Sequence, residues 1–280
     1  MQEKHSTSFS ESSLNTLAQN GTNISTNKVV ILKGEGSELN SSDKMKGRAK
    51  RKMITNAMAL SLIDVCKASG ENTKLKSYWN TFHCQNKIYT HEGRQYGKYC
   101  KNRHCTVCCS IRKAEIINKY YPTLKNWESP YFVTLTIKSC KAGSLKKMLK
   151  GCIRAFKLIN EQYRKRHQRG LSELLIGVKS LECNFNPTKN TYNPHLHLIV
   201  SNQQTAEILI EEWLKKWTTQ YTSYKGQHKR PVENLDHDLI EIIKYGSKIF
   251  TEPDVTKKSQ IDTDRSIYAA ALNNIFIAMK

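Results

Sequence analysis

Pro194-His195-Leu196-His197-Leu198, running on through apolar residues to Val200, is the stretch that decides the fold. In extended backbone, side chains at i and i+2 share one face, so His195 and His197 point the same way. The run is short, apolar and β-branched at its end, which reads as a strand. Its apolar flanks place it centrally in a sheet, where two imidazoles without a task would be a polar cost. A histidine on a strand is usually an ordinary core or surface residue. Two on one face with a carboxylate in reach can grip a metal ion. Glu182, on the preceding strand, is the only acidic residue between Glu173 and the histidines, and it is the candidate third ligand. Such a set, with open positions, suits Mn²⁺ or Mg²⁺ and leaves room for a phosphate oxygen.

The neighbouring sequence supplies the rest of the sheet. Leu174-Leu175-Ile176-Gly177-Val178 continues through Leu181-Glu182 to Asn186-Pro187, a turn, so this strand pairs with the histidine strand. Tyr131 to Ile137 is a further strand by its β-branched and aromatic content. Between them, Leu145, Met148, Leu149, Cys152, Ile153, Phe156 and Ile159 recur at three- and four-residue steps. They form one stripe of a helix opened by Gly143 and Ser144 and ended by Gly170. Lys146, Lys147, Lys150, Arg154 and Lys157 fill much of its remaining surface. Thr205 is the expected cap of a helix carrying Ile208, Leu209, Trp213, Leu214 and Trp217. A last helix carries Glu241 and Tyr245. The order β-α-β-β-α-α predicts an α+β fold with helices packed on one sheet.

Charge names the partner class. The 280 residues hold 45 Lys and Arg against 24 Asp and Glu, a net +21. Nucleic acid is the expected partner of so basic a chain. No apolar run approaches the roughly 18 residues of a membrane span. Met1 to Ser6 has no apolar signal segment behind it, so a cytoplasmic location without membrane attachment is expected. There the nine cysteines are thiols or metal ligands rather than disulfides. Three segments are expected. Residues 1–43, rich in Ser, Asn, Thr and Glu, read as a disordered tail. Residues 44–120 hold a basic run (Lys44, Lys46, Arg48, Lys50, Arg51, Lys52), read as a DNA contact in preference to plain solvated charge, a helix near Met58 to Ile63 and a cysteine-rich segment. Residues 121–280 hold the sheet.

Two further constellations carry chemistry. On a helix, Glu241, Tyr245 and Lys248 fall at i, i+4 and i+7, on one face. A phenol has a pKa near 10 and needs a metal or an ammonium group to act as a nucleophile; Lys248 or Lys244 can also hold a phosphate. Tyr192 is the rival nucleophile. Cys84, Cys100, Cys105 and Cys108, with a CxxC at 105–108, fit tetrahedral Zn²⁺ and would organise a segment poor in apolar residues. Cys109, His83 and His104 are substitute ligands, and Arg103 and Arg112 would flank the knuckle, within reach of DNA phosphates. Cys66, Cys140, Cys152 and Cys183 read as small core residues.

Phe132-Val133-Thr134-Leu135-Thr136, then Pro194-His195-Leu196-His197, then Lys244-Tyr245-Gly246-Ser247-Lys248 stand in one order, behind Cys100, Cys105, Cys108 and Arg112-Lys113. In that order and spacing the chain, over roughly residues 50 to 275, resembles the plasmid rolling-circle replication initiators, Rep proteins of the HUH endonuclease superfamily with one catalytic tyrosine. The resemblance implies a central antiparallel sheet with the histidines on a middle strand and the tyrosine helix against it. It implies a divalent ion on His195, His197 and Glu182. It implies that Tyr245 nicks one strand at a double-strand origin, keeps the 5′ phosphate and frees a 3′ hydroxyl for a polymerase. Glu241 stands where such proteins activate water for termination. Origin DNA, single-stranded or as a hairpin, a host helicase and a polymerase are the implied partners, and a homodimer is compatible with them. Three alternatives stay open: a transposase, a conjugative relaxase of the same superfamily, and a zinc-containing DNA-binding protein without activity.

Overall fold

The computed structural model describes residues 42–91, 94–243 and 265–279. The expected tail therefore lies, up to residue 41, outside the described residues. The chain divides into two compact units, Met1–Cys109 and Ser110–Lys280.

The first unit opens with helix α1 (Ser42–Ser69), longer than the apolar stretch at 58–63 announces. Met58, Ala59, Leu62, Ile63 and Cys66 form its buried stripe at helical spacing. Gly70, at φ +69°, follows it in the left-handed conformation that ends helices. Helix α2 (Leu75–Phe82) comes next, then a ribbon of β1 (Ile88–His91) and β2 (Arg94–Gly97), then the start of α3 (Thr106–Leu124). The Thr106 N–H donates to Thr55 Oγ1 at 3.1 Å and the Thr106 hydroxyl to the Arg51 carbonyl at 2.8 Å, pinning the α3 N-terminus to α1.

The second unit is built on an antiparallel sheet of four strands, in spatial order β4-β5-β3-β6: β3 (Tyr131–Thr136), β4 (Gly177–Asn186), β5 (Thr191–Val200) and β6 (His228–Pro231). The helices are α4 (Ala142–Gln168), α5 (Gln203–Lys216), α6 (Leu235–Ile243) and α7 (Arg265–Ala278). Hence the expected α+β arrangement, an antiparallel sheet with packed helices, is observed. The histidine strand β5 is interior, between β4 and β3. Its alternation sorts the two faces. Leu196, Leu198 and Val200 join Val133 and Leu135 beneath α4 and α5, with Trp213 fully buried among them. Leu145 and Leu149 of α4 continue this layer to α7 through Ala271 and Ile275. The opposite face carries Phe132 and Ile199, covered by Leu124 and by Leu239 and Ile242 of α6.

Several local expectations change. The α5 cap is Asn202, whose side chain accepts from the Thr205 N–H at 2.8 Å; Thr205 is inside the helix and buried. Asn202 has the extended backbone a cap needs. Strand β4 begins at Gly177, so Leu174 to Ile176 precede it. Strand β6 and the β1-β2 ribbon were not foreseen. Gly170, at φ +69°, closes α4 as the sequence indicates, with the Leu171 N–H donating to the Arg166 carbonyl at 2.9 Å.

Candidate functional site

Register builds the first site. Glu182 lies directly across from His195 and Ser180 across from His197; on the other side Thr136 faces His195 and Thr134 faces His197. All these residues share the sheet face that carries Phe132 and Ile199. Glu182 Oε2 is 3.7 Å from Nε2 of each histidine. That is beyond a hydrogen bond and leaves space between the groups. The outer ring nitrogens are engaged elsewhere. His195 Nδ1 is 2.9 Å from the Asn193 carbonyl and therefore donates to it, which leaves Nε2 as an acceptor aimed at Glu182. His197 Nδ1 lies 3.1 Å from Thr134 Oγ1, and Phe132 packs against the ring at 5.4 Å. Such outer partners fix ligating imidazoles in place.

Glu182 is 5% exposed and His195 4%. Glu182 Oε1 has no hydrogen-bond partner among the described residues. A carboxylate buried in this way is costly without a cation. Two imidazole nitrogens and a carboxylate whose ligand atoms lie within 4.8 Å of one another are a donor set for a divalent ion. The residues fit the group.

Helix α6 is held over the same face by a pair that sequence reasoning missed. Arg230 of β6 forks onto Asp238, with Nη1 to Oδ2 at 2.8 Å, and its guanidinium lies 4.8 Å over the Phe132 ring. Burial pushes the Asp238 carboxyl up, but hydrogen bonds from Arg230 and His237 outweigh this and hold it below its ordinary value. With the folded value depressed, this stabilisation is present above the ordinary carboxylate range and is lost as the pH falls through the lowered one. Arg230→Met should therefore destabilise the unit by about 2 kcal/mol in urea titration, because it strands a buried carboxylate. Its own partial exposure keeps the loss below that of a fully buried pair.

Glu241 is half-buried on α6. Lys244, Tyr245 and Lys248 lie outside the described residues. The rival Tyr192 is placed on the reverse of the sheet, among Leu145, Cys183 and Ile275, 2% exposed, its hydroxyl accepting from Asn274 Nδ2 at 2.9 Å.

The second site belongs to the first unit. Cys84 follows α2, Cys100 follows β2, and Cys105 and Cys108 flank the start of α3. The four sulfurs lie within 4.8 Å of one another, with Cys84 to Cys108 and Cys100 to Cys108 both at 3.6 Å. Four thiolates about 2.3 Å from one ion in a tetrahedron stand about 3.8 Å apart. This set also fits its metal. The substitutes are turned elsewhere. Cys109 donates to the Arg103 carbonyl at 2.8 Å, and His104 Nε2 pairs with Thr81 Oγ1 at 2.8 Å, with burial pushing that imidazole down to about 4. His83 is exposed and stacks on Trp79. Arg103 is exposed before α3, and Arg112 is half-buried on it.

The basic run at 44–52 needs correction at two residues. Lys52, expected to face solvent or DNA, turns inward and donates to the Phe82 carbonyl at 2.7 Å and to the Cys84 carbonyl. Burial pushes its ammonium down, opposed by the four neighbouring thiols. Arg48 also turns in, Nη2 donating to the Tyr99 hydroxyl at 3.0 Å. Lys52→Met should lower the midpoint for metal loss from the cysteine set, read as zinc release against a competing chelator.

Fold and sites together define a basic α+β protein with two metal-competent clusters, one of sulfur and one of nitrogen and oxygen. The chain belongs to the Replication protein family, whose model matches residues 93–249. It is similar to "Protein rep" of Staphylococcus aureus, 29% identical over 53% of this chain and 69% of that one. It is also similar to "Protein rep" of Bacillus amyloliquefaciens, at 25% over 64% of this chain and 57% of that one. A third "Protein rep", of Bacillus sp, is 24% identical over 59% of this chain and 61% of that one. No solved structure matches. The resemblance to Rep proteins is thus shown at the level of the family. No helix among the described residues is long and apolar enough to cross a membrane.

Proposed function

We propose that this chain is a plasmid replication initiator of the rolling-circle type, a metal-dependent endonuclease that nicks one strand at a double-strand origin. The observation that carries the reading is Glu182 Oε2, 3.7 Å from both histidine Nε2 atoms on an interior sheet face, under the helix that leads towards Tyr245. Membership of the replication protein family supports it.

His195, His197 and Glu182 would hold Mn²⁺ or Mg²⁺, and the ion would polarise the phosphoryl group under attack. The Tyr245 phenol oxygen bonds to phosphorus as the bond from phosphorus to the 3′ oxygen breaks. The phenol proton passes through solvent to the departing oxygen. The product is a 5′-phosphotyrosine and a free 3′ hydroxyl, the primer for a host polymerase. Lys248 and Lys244 hold the phosphate oxygens. At termination Glu241 takes a proton from water, whose oxygen bonds to phosphorus as the bond from phosphorus to the Tyr245 oxygen breaks; the proton passes to the freed phenol oxygen, and water thus serves where a second tyrosine otherwise would. The segment 44–120, with Zn²⁺ on Cys84, Cys100, Cys105 and Cys108, contacts the origin beside Arg103 and Arg112, and 121–280 is the HUH nicking domain. A host helicase then unwinds the nicked duplex in the cytoplasm, and the initiator acts alone or as a homodimer.

The test is incubation of the protein with origin-derived single-stranded DNA, with and without added Mn²⁺. A covalent adduct that requires Mn²⁺ and maps to the peptide holding Tyr245 is expected. Tight DNA binding with no adduct on any strand would move the reading to a zinc-containing binder, and hairpin-end transfer would move it to a transposase. Glu241→Ala should form adduct within about threefold of the unaltered chain and release it by hydrolysis about a hundredfold more slowly. Normal release would remove that role from Glu241.

A further inference from the structure

Helix α4 carries eight Lys and Arg against a single Glu. Lys146, Lys150, Lys157 and Arg164, all exposed, stand four, seven and seven residues apart, which aligns them in one stripe about 27 Å long. At its C-terminal half the stripe borders a cavity of about 340 Å³ between α4 and β4. Lys157, Arg164 and, from the strand, Lys179 line this cavity; Ile153 and Phe156 are its apolar part. Lys179 stands 4.9 Å over the Phe156 ring. The one acid present, Glu161, is 3.7 Å from Lys157, so the cavity keeps a positive excess.

We propose that this groove binds the backbone and one base of a single-stranded DNA, at a place separate from the metal cluster. Cations along a helix meet successive phosphates, and Ile153, half exposed beside them, gives an apolar surface for the flat face of a base, while Phe156 lies buried beneath Lys179. The volume lies at the small end of ligand sites, enough for one base rather than a duplex. Position gives the groove a task. Lys179 and Glu182 lie on opposite faces of β4, which is the edge strand of the sheet. A strand engaged at the histidines reaches the groove by passing over that edge, to which no further strand is paired among the described residues. The groove then retains the strand away from the metal cluster. The inference rests on the reading above only in taking DNA as the partner, and needs no nicking.

The experiment is fluorescence anisotropy with a labelled twenty-residue oligothymidine, without added divalent metal, across a salt series. Lys157→Glu with Arg164→Glu is compared with Lys125→Glu plus Lys189→Glu, two exposed lysines outside the groove that give the same change in net charge. The groove pair should weaken binding at least about tenfold and reduce the salt slope by about 1.4, the value for two phosphate contacts on a single strand. The control pair should change affinity less than about threefold. Equal loss in both pairs would overturn the site. So would equal loss of a twenty-base-pair duplex or of vesicles containing phosphatidylserine, since either means a general anion surface. Ile153→Ser, at an exposed position, should weaken binding to oligothymidine more than to an abasic oligomer of the same length; no difference overturns the base contact. Adduct formation on a short origin oligonucleotide, measured in parallel, separates a failed groove from a failed nicking assignment.

Discussion

Tyr245→Phe should give no covalent adduct with origin DNA, a loss of at least about a thousandfold, while DNA affinity stays within about twofold. The substitution deletes one oxygen. It leaves the ring, the charge of the chain and the donor atoms of Glu182, His195 and His197 untouched. Mn²⁺ binding should therefore persist in this variant, whereas His195→Ala with His197→Ala should lose both metal and adduct. That contrast separates the nucleophile from the ion. The rival for the role proposed for Tyr245 is Tyr192. Tyr192, nearest in sequence to the histidines, is placed on the reverse of the sheet by strand alternation and is sealed there by α7. Helix α6 lies on the correct face, with Leu239 and Ile242 packed on Phe132 and Ile199. An adduct that survived in Tyr245→Phe would transfer the role to another phenol, which peptide mapping would name.

How much of this was legible depended on whether the signal was local. The histidine strand declared itself by a period of two, and Glu182 by being the one acid in a basic stretch; the register that sets it opposite His195 follows from the short turn at 186–190. The four cysteines were legible because a CxxC with two further thiols close upstream is the spacing of a tetrahedral ligand set. What sequence missed needs three-dimensional neighbours. The Asn193 carbonyl fixes His195 only once the strand is pleated. Arg230 and Asp238 are eight apart across a strand, a turn and a helix, so no period links them. Strand β6 is four residues with a terminal proline and no alternation, and only its pairing with β3 defines it. Lys52 sat in a run of like charges and was indistinguishable from its neighbours until α1 was seen to aim it at Cys84. Asn202 and Thr205 are both good caps, and backbone geometry alone chooses between them.

Removing metal from the cysteine set should cost the first unit most of its folding free energy. One Zn²⁺ per chain is expected by release with a chromophoric chelator under reducing conditions. Hydrogen exchange after release should show loss of protection at 75–109, with protection at 131–200 retained. The reason lies in what the local core is made of. The buried cluster there is Cys84, Cys105, Val107 and Cys108, with Tyr99 and Cys100 partly buried beside it. Four of these six residues are the ligands themselves. Without an ion the cluster has almost no apolar side chain to bury, and its thiols must share charge among themselves. Hydrogen bonds from Cys105 and the other thiols push Cys100 far down, towards thiolate, and that thiolate pushes Cys84, Cys105 and Cys108 up. One partly buried thiolate is a poor substitute for four thiolates on a dication, whose binding is worth about 10 kcal/mol or more in small zinc domains. The sign with pH follows. Binding needs all four thiols deprotonated, so the metal is held at neutral pH and released as the pH falls. Cys108→Ser, which leaves three thiolates, should release zinc at a higher pH than the unaltered chain. Unchanged protection at 75–109 after complete release would mean that α1 and α2 hold this unit without the ion, and the cysteines would then need another explanation.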